Sequence, residues 1–520
     1  MNPQTAEDEP LRAELFSAEQ MVLHGKRLAA QHVLGKASLP DRLLSRLASN
    51  ERVLVDLGKR LAATADADRR FTPAAEWLLD NFYLIEEEIR TARRHLPRGY
   101  SRELPKLALE TANGIGAGLP RVYHLALQVM AHGDGQIGRG TLSRFIAAYQ
   151  SVQPLRLGEL WACPIMLRLA LIDNLRRIAA RVAIAHAQRQ TACRWADAML
   201  DVAHHTPSDL ILVMADMARS APPLTNAFVA EYARRLQGQG ATLALPLTWI
   251  EQRLAESGQT IEQLVHMEGQ QQAANQVSVS NSIGSLRLLG AMDWREFVET
   301  LSSVEQTLRD DPSGVYAQMD FGTRDLYRHG IEAVARLGPH SEADVARQTV
   351  ALCAAAAAHS EADAAADTLH HSPQDGRHQH VGYYLIGAGR VELEHALGVQ
   401  APLWLAWARA ARAHALPLYA GAILFATLGL GAAAWFFSDA PMEWPGWAQL
   451  AFSLVLLLAT SQLAVSLVNW LVTLFVAPQP LPRMNYAFGI ASESRTLVVV
   501  PTMLGSVAGV EALADALEVR

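Results

Sequence analysis

The chain has 520 residues, half of them hydrophobic, and a net charge of −7. That length predicts several domains with ample core material, and the acidic balance argues against a nucleic-acid binder, which shows a basic stripe. Cys163, Cys193 and Cys353 are too far apart for metal-ligand spacing and fit a reducing compartment rather than a disulfide framework.

Met1 to Pro10 is acidic and polar and has no signal-peptide character, so residues 1–414 are expected to stay cytoplasmic. From residue 11 to about 410 the chain reads as helix after helix. Leu43, Leu47, Leu54, Leu57 and Leu61 keep one apolar face. Thr72-Pro73 predicts a cap and first helical residue, followed by the stripe Trp77, Leu78, Phe82, Ile85 and Ile89, with Pro97 closing the segment. Helical periodicity recurs over 120–132, 141–151, 160–203, 208–219, 224–237, 247–267, 294–309 and 324–337. Short breaks such as Ala221-Pro222-Pro223 and Asp310-Asp311-Pro312 divide these segments. They share no fixed repeat period, so no regular solenoid is expected. Ala351 to Asp367 is Ala-rich and a strong helix former. Val277 to Ile283 alternates like a strand and, between helices, reads as an extended link.

Leu418 to Phe437 is a run of 20 uncharged residues, and Leu450 to Ala477 a second run of 28. As a helix the first would span roughly 30 Å, the thickness of a bilayer core, so residues 415–477 predict a transmembrane hairpin (418–437 and 450–477). The turn carries Asp439 and Glu443 and no basic residue, whereas Arg409, Arg412, Arg483 and Arg495 flank the spans. The positive-inside rule then puts both chain ends in the cytoplasm, with Trp435, Trp444 and Trp447 at the far interface. Two stripes at helical spacing, Ala422, Ala426, Gly429, Ala433 and Gln462, Ser466, Asn469, Thr473, are candidates for the seam between the spans or for contacts with further spans.

After Pro478, Pro480 and Pro482 the pattern changes. Thr496 to Val500 is a β-branched-rich run ending at Pro501-Thr502, and Val507 to Val519 is amphipathic. A strand, a turn and a helix open an α/β domain with a parallel sheet. Residues 478–520 are therefore read as a linker and the opening βα unit of a domain whose remaining units lie outside the chain.

Chemical motifs are mostly out of context. Gly133-Asp134-Gly135-Gln136-Ile137-Gly138 matches a dinucleotide fingerprint, but a helix precedes it where a strand is needed, so it reads as a connector capped by Thr141. Asn113 to Pro120 is glycine-rich but lacks the Lys-Ser/Thr ending of a phosphate loop. His370, His371, Asp375, His378 and His380 lack ligand spacing and read as a solvated loop. Glu86, Glu87 and Glu88 with Arg90, Arg93 and Arg94 predict ion pairs along one helix face. Asp320, Arg324, Asp325, Tyr327, Arg328 and His329 predict a helix-start network. No catalytic or metal-binding residue is assigned.

Several stretches are specific: Phe16 to Met21, Trp77 to Glu87, Leu96 to Tyr100 with Leu104-Pro105, Val277 to Ser282, Met319-Asp320-Phe321 with Thr323-Arg324-Asp325, Val381 to Leu385, and Pro482-Arg483-Met484 through Thr496 to Leu504. In these the chain resembles the N-terminal region of bacterial cyclic β-1,2-glucan synthases. The resemblance implies an inner-membrane enzyme using UDP-glucose and a divalent cation (Mg or Mn). It also implies a growing glucan chain, further spans and a phosphorylase-like domain as partners, besides the lipid bilayer. The acidic and acceptor-side motifs of the transferase would lie beyond Arg520. Only Pro501 and Thr502 carry over, as a wall of the uridine pocket; no cofactor is assigned to this chain itself. The expected fold is mainly α, with a truncated GT-A-like α/β domain beginning at the end. A membrane-tethered helical scaffold without chemistry is the alternative.

Overall fold

The computed structural model describes residues 13–35, 42–65, 71–96, 99–108, 118–366, 375–438, 444–476, 478, 480–487, 489–490, 492–497, 499, 501 and 506–518. The chain divides into two compact units, residues 1–306 and 307–520. As expected, the fold is mainly α. The sole sheet among the described residues is a two-residue antiparallel pair, β1 (Leu34–Gly35) with β2 (Lys106–Leu107).

The first unit contains α1 (Ala18–Gln31), α2 (Leu43–Ala65), α3 (Pro73–Asp80), α4 (Phe82–His95), α5 (Arg121–Gly133), α6 (Arg139–Gln150), α7 (Leu157–His205), α8 (Leu210–Ser220), α9 (Asn226–Leu236), α10 (Ala244–Ala255), α11 (Ile261–Ala291) and α12 (Trp294–Leu301). Its organising element is α7, 49 residues long and so about 74 Å from end to end. From Leu157 to Val182 it is buried on nearly every side and joins the core containing Leu47, Leu54, Ile85, Phe145 and Ile283. Beyond Val182 it turns amphipathic, and Ala192, Ala196 and Met199 enter a second core with Phe228, Tyr232 and Ile250. Such a switch fits the first half being surrounded by helices and the second half covered on one face only.

Local chemistry sets the helix ends. Ser17 with Gln20, and Thr260 with Gln263, form reciprocal capping boxes on α1 and α11. Pro73 begins α3, but Thr72 makes no side-chain cap bond. The predicted Trp77–Ile89 stripe is broken at Asn81, whose Nδ2 donates to the Trp77 carbonyl at 2.8 Å. Glu88 pairs with Arg168 on α7 at 2.6 Å and Arg93 with Glu51 on α2, so these charges link helices instead of decorating one face.

Val277 to Ile283 is not a link. It lies inside α11. The serines beside its β-branched residues have a reason at helical spacing, because Ser278, Ser282 and Ser285 fall on one buried face.

The second unit contains α13 (Phe321–Ala335), α14 (Glu342–Ala366), α15 (Val381–Leu385), α16 (Arg390–Ala396), α17 (Leu403–Ala413), α18 (Ala415–Phe437), α19 (Gly446–Phe475) and α20 (Val507–Glu518). Helices α18 and α19 are long and apolar enough to cross a membrane, and little of either is buried in the protein. Their seam is not the one the stripes suggested. Thr460, Ala464 and Val468 of α19 are buried against α18, where Gly431 is buried beneath Leu457. Ala422, Gly429, Ala433, Gln462, Ser466 and Thr473 face outward; Asn469 is exposed but takes a hydrogen bond from Tyr419 Oη at 2.6 Å. Asp439 and Glu443 lie outside the described residues.

Of the predicted strand at 496–500, the described residues Thr496, Leu497 and Val499 are exposed and in no ladder; Val498 and Val500 lie outside the described residues. A parallel strand exists only where neighbours take its N–H and C=O groups, and no described segment does so here. The helix expected after it is present as α20.

Candidate functional site

In the second unit, three of the stretches that carry the family resemblance meet at the start of α13. Asp320 caps the helix, its Oδ1 accepting from Thr323 N at 2.8 Å. These hydrogen bonds from Thr323, with Arg483 and Arg324 nearby, hold the Asp320 carboxyl below its usual range. The segment after the second span lies antiparallel against this turn. Asp320 N donates to the Arg483 carbonyl at 2.9 Å, and Asn485 N to the Gln318 carbonyl at 2.8 Å, with a bridge between Met319 and Met484. Arg483 N donates to Thr323 Oγ1 at 2.8 Å, a third tie.

Beneath this turn Tyr327 Oη lies 3.2 Å from His380 Nε2, and His380 Nδ1 lies 2.8 Å from Asp311 Oδ2. Ser313 Oγ donates to the same carboxylate at 2.5 Å. Burial pushes the Asp311 carboxyl up, but the bonds from His380 and Ser313 outweigh it and hold it low. Gly382 is required here, because a Cβ would come within 2.3 Å of Tyr327 Oη. Among the described residues of the histidine-rich loop only His380 enters such a network; the His378 ring lies 4.2 Å from that of Tyr383, tilted by 57°, and His370 and His371 lie outside the described residues. Arg328, buried, pairs with Asp325 at 3.2 Å and sits 5.1 Å above the Phe321 ring. The 320–329 cluster is thus a helix-start network, as expected.

In the first unit, a groove of about 350 Å³ runs between α7, α9 and α11. Arg189 donates to Glu268 at 2.8 Å, Gln272 donates to the same oxygen, and Arg181 donates to Gln271 at 2.9 Å. Planar amide and guanidinium groups of this kind hydrogen-bond to hydroxyls or oxyanions, although here they already partner one another. The Gly133–Gly138 connector is no phosphate cradle. Asn281 Nδ2 donates to the Asp134 carbonyl at 3.1 Å, Ser285 Oγ to the Gly135 carbonyl at 2.7 Å, and Ile137 N to Ser285 Oγ at 2.8 Å. The Asp134 and Gly135 carbonyls and the Ile137 amide are taken by α11, the Gly135 and Gln136 amides donate to the Met130 and Gly133 carbonyls, and Thr141 sits inside α6 rather than capping it. The Asn113–Pro120 loop lies largely outside the described residues.

Of the two residues assigned to a uridine wall, Pro501 is exposed and Thr502 lies outside the described residues. No three His, Cys, Asp or Glu side chains converge in a metal-binding arrangement among the described residues. The tie between 318–323 and 483–485 has no obvious sequence signal, since all but one of its partners, the Thr323 hydroxyl, are main-chain groups, and the Arg483–Thr323 bond joins positions 160 residues apart.

No known protein-family profile matches the chain. It is 31% identical over 517 residues to cyclic beta-(1,2)-glucan synthase NdvB of Rhizobium meliloti (strain 1021), a match that covers 99% of this chain and 17% of that protein. Along essentially its whole length, therefore, the chain is similar to about a sixth of a cyclic β-(1,2)-glucan synthase.

Proposed function

We propose that this chain is the N-terminal, non-catalytic part of an inner-membrane enzyme that makes cyclic β-1,2-glucan from UDP-glucose, and that it holds the catalytic domain to the bilayer. The carrying observation is the 31% identity that runs over 99% of the chain. Residues 1–414 form the cytoplasmic helical region, 415–477 the membrane hairpin, and 478–520 the linker and opening unit of the glycosyltransferase domain. The apolar, outward-facing surfaces of α18 and α19 support the crossing, and the flanking arginines favour cytoplasmic ends.

The tie at α13 supports the anchoring role. Main-chain hydrogen bonds pin residues 483–485 shortly after the second span ends at Phe475. A linker pinned there fixes where the following domain begins. UDP-glucose, the divalent cation, the growing glucan and the further spans belong to parts of a synthase that this chain does not cover. The described residues do not fit the cation. Pro501 and Thr502 are kept as the uridine-side wall on the resemblance alone.

Membranes carrying only this chain, given labelled UDP-glucose, are expected to form no polymer, while membranes carrying a complete synthase do. Polymer from this chain alone would put a transferase centre in the helical region and overturn the reading.

A further inference from the structure

Helix α17 is amphipathic in a way the unit's own packing does not use. Leu405, Ala408 and Arg409 turn toward the protein and are half-buried. Arg409 Nη1 donates to Glu394 Oε2 at 2.8 Å, and Arg390 Nε donates to the same carboxylate at 3.2 Å, so this side is moored to α16. On the opposite side Leu403, Trp404 and Trp407 are 82%, 68% and 77% exposed. Ala410 and Ala411 continue that face without a polar interruption. The helix holds no acidic residue, and its basic residues Arg409 and Arg412 fall on the moored side with Leu405 and Ala408, opposite the tryptophans. It stops at His414, whose φ of −110° and ψ of 32° break the helix one residue before α18 begins.

Two exposed tryptophans and a leucine at spacings of one, three and four residues are costly in water. Indole is suited to one place above others, the headgroup layer, where its ring meets acyl chains and its N–H meets water. A short basic amphipathic helix is the form such a peripheral element takes. Position adds a separate argument. Because α17 is joined to α18 through a single residue, it must lie close to wherever α18 enters the bilayer. The moored face then looks toward the protein and the tryptophan face away from it.

We propose that α17 lies in the cytoplasmic headgroup layer with Leu403, Trp404 and Trp407 inserted, making it an elbow between the helical region and the first span. The inference rests on the reading that α18 crosses the membrane.

The test uses the whole chain in vesicles of zwitterionic and anionic phospholipid, with Cys193→Ser and single spin labels at Trp404→Cys, Trp407→Cys, Phe425→Cys and Glu251→Cys. Accessibility to oxygen and to a polar nickel chelate is compared by power saturation. The Phe425 label reports the span and the Glu251 label bulk water. Labels at 404 and 407 are expected to favour oxygen over chelate, at shallower depth than 425, while 251 favours the chelate. Chelate access at 404 and 407 equal to that at 251, with 425 still in lipid, overturns the interfacial helix alone. Chelate access at 425 as well removes the crossing and the elbow with it. Shielding of 404 and 407 from both reagents, with spin–spin broadening, would assign the face to a second copy and also overturn the proposal.

Discussion

A buried hydrogen-bonded chain of side chains crosses the first unit, and its proton positions follow from donor counting. The Gln128 amide N donates to His124 Nε2 at 3.3 Å, so His124 carries its proton on Nδ1. That proton faces His32 Nε2 at 3.0 Å, leaving His32 protonated on Nδ1 and donating to Tyr149 Oη at 2.8 Å. Tyr149 in turn donates to Gln153 Oε1 at 2.9 Å. Every member is satisfied with both imidazoles neutral. Burial, then the His124, Arg121 and His24 charges, push His32 down to about 4. The sign follows: between roughly pH 6.5 and 4 the unfolded chain binds a proton that the folded chain refuses, so stability falls as pH drops through that window. Thermal unfolding of the intact chain should shift down by a few degrees across it, and His32→Gln should flatten the slope. An unchanged slope would mean that other groups set the pH dependence.

Gly135 offers a second test at this scale. Its φ is +77°, and a Cβ would sit 2.5 Å from Ser282 Oγ. Gly135→Ala is expected to cost about 1–3 kcal/mol in urea unfolding, through left-handed backbone strain and a clash with buried α11. The glycines of this connector could be dismissed as a nucleotide loop from sequence, because the preceding segment had helical periodicity. What they do instead depends on which helix lies opposite, and no local pattern states that.

At the scale of elements, the segments with strong periodicity were legible and those with ambiguous composition were not. The leucine face of α2 and the two apolar runs of α18 and α19 emerged from spacing and length alone. Val277–Ile283 misled because valine alternation is a local signal, whereas a 31-residue helix is propagated from both sides. The Thr496–Val500 run misled in a different way, since a strand's stability resides in its neighbours. The hairpin seam also escaped the stripes: spacing identifies a face, not which of two faces the partner occupies. The tie between 483 and 323 was invisible for the same reason, and it can be probed directly. Thr323→Val removes the acceptor for Arg483 N, worth about 1 kcal/mol. Opening of the segment, read as trypsin cleavage after Arg483 in the detergent-solubilised chain, should rise about fivefold. Cleavage at the unmodified rate would show that the remaining main-chain bonds suffice and that Thr323 is only a helix-start residue.

For the whole molecule the decisive asymmetry is charge around the hairpin. The 444–449 side of the turn presents Trp444 and Trp447 but no arginine, while Arg409 and Arg412 precede α18 and Arg483 and Arg495 follow α19. Basic residues near span ends resist translocation, so the turn should reach the periplasm and both flanks should not. Thiol labelling can decide this because the native cysteines interfere little. Burial pushes the Cys163 and Cys353 thiols up to about 12, leaving almost no thiolate to react, and Cys193 can be made serine. A membrane-impermeant maleimide added to intact cells should then modify Trp447→Cys and spare Tyr486→Cys until the inner membrane is opened. The reverse pattern would invert the hairpin and move the α13 tie, with the domain that follows it, to the periplasm, where no UDP-glucose is supplied. Labelling of both positions in intact cells would mean that α18 and α19 do not form a crossing pair.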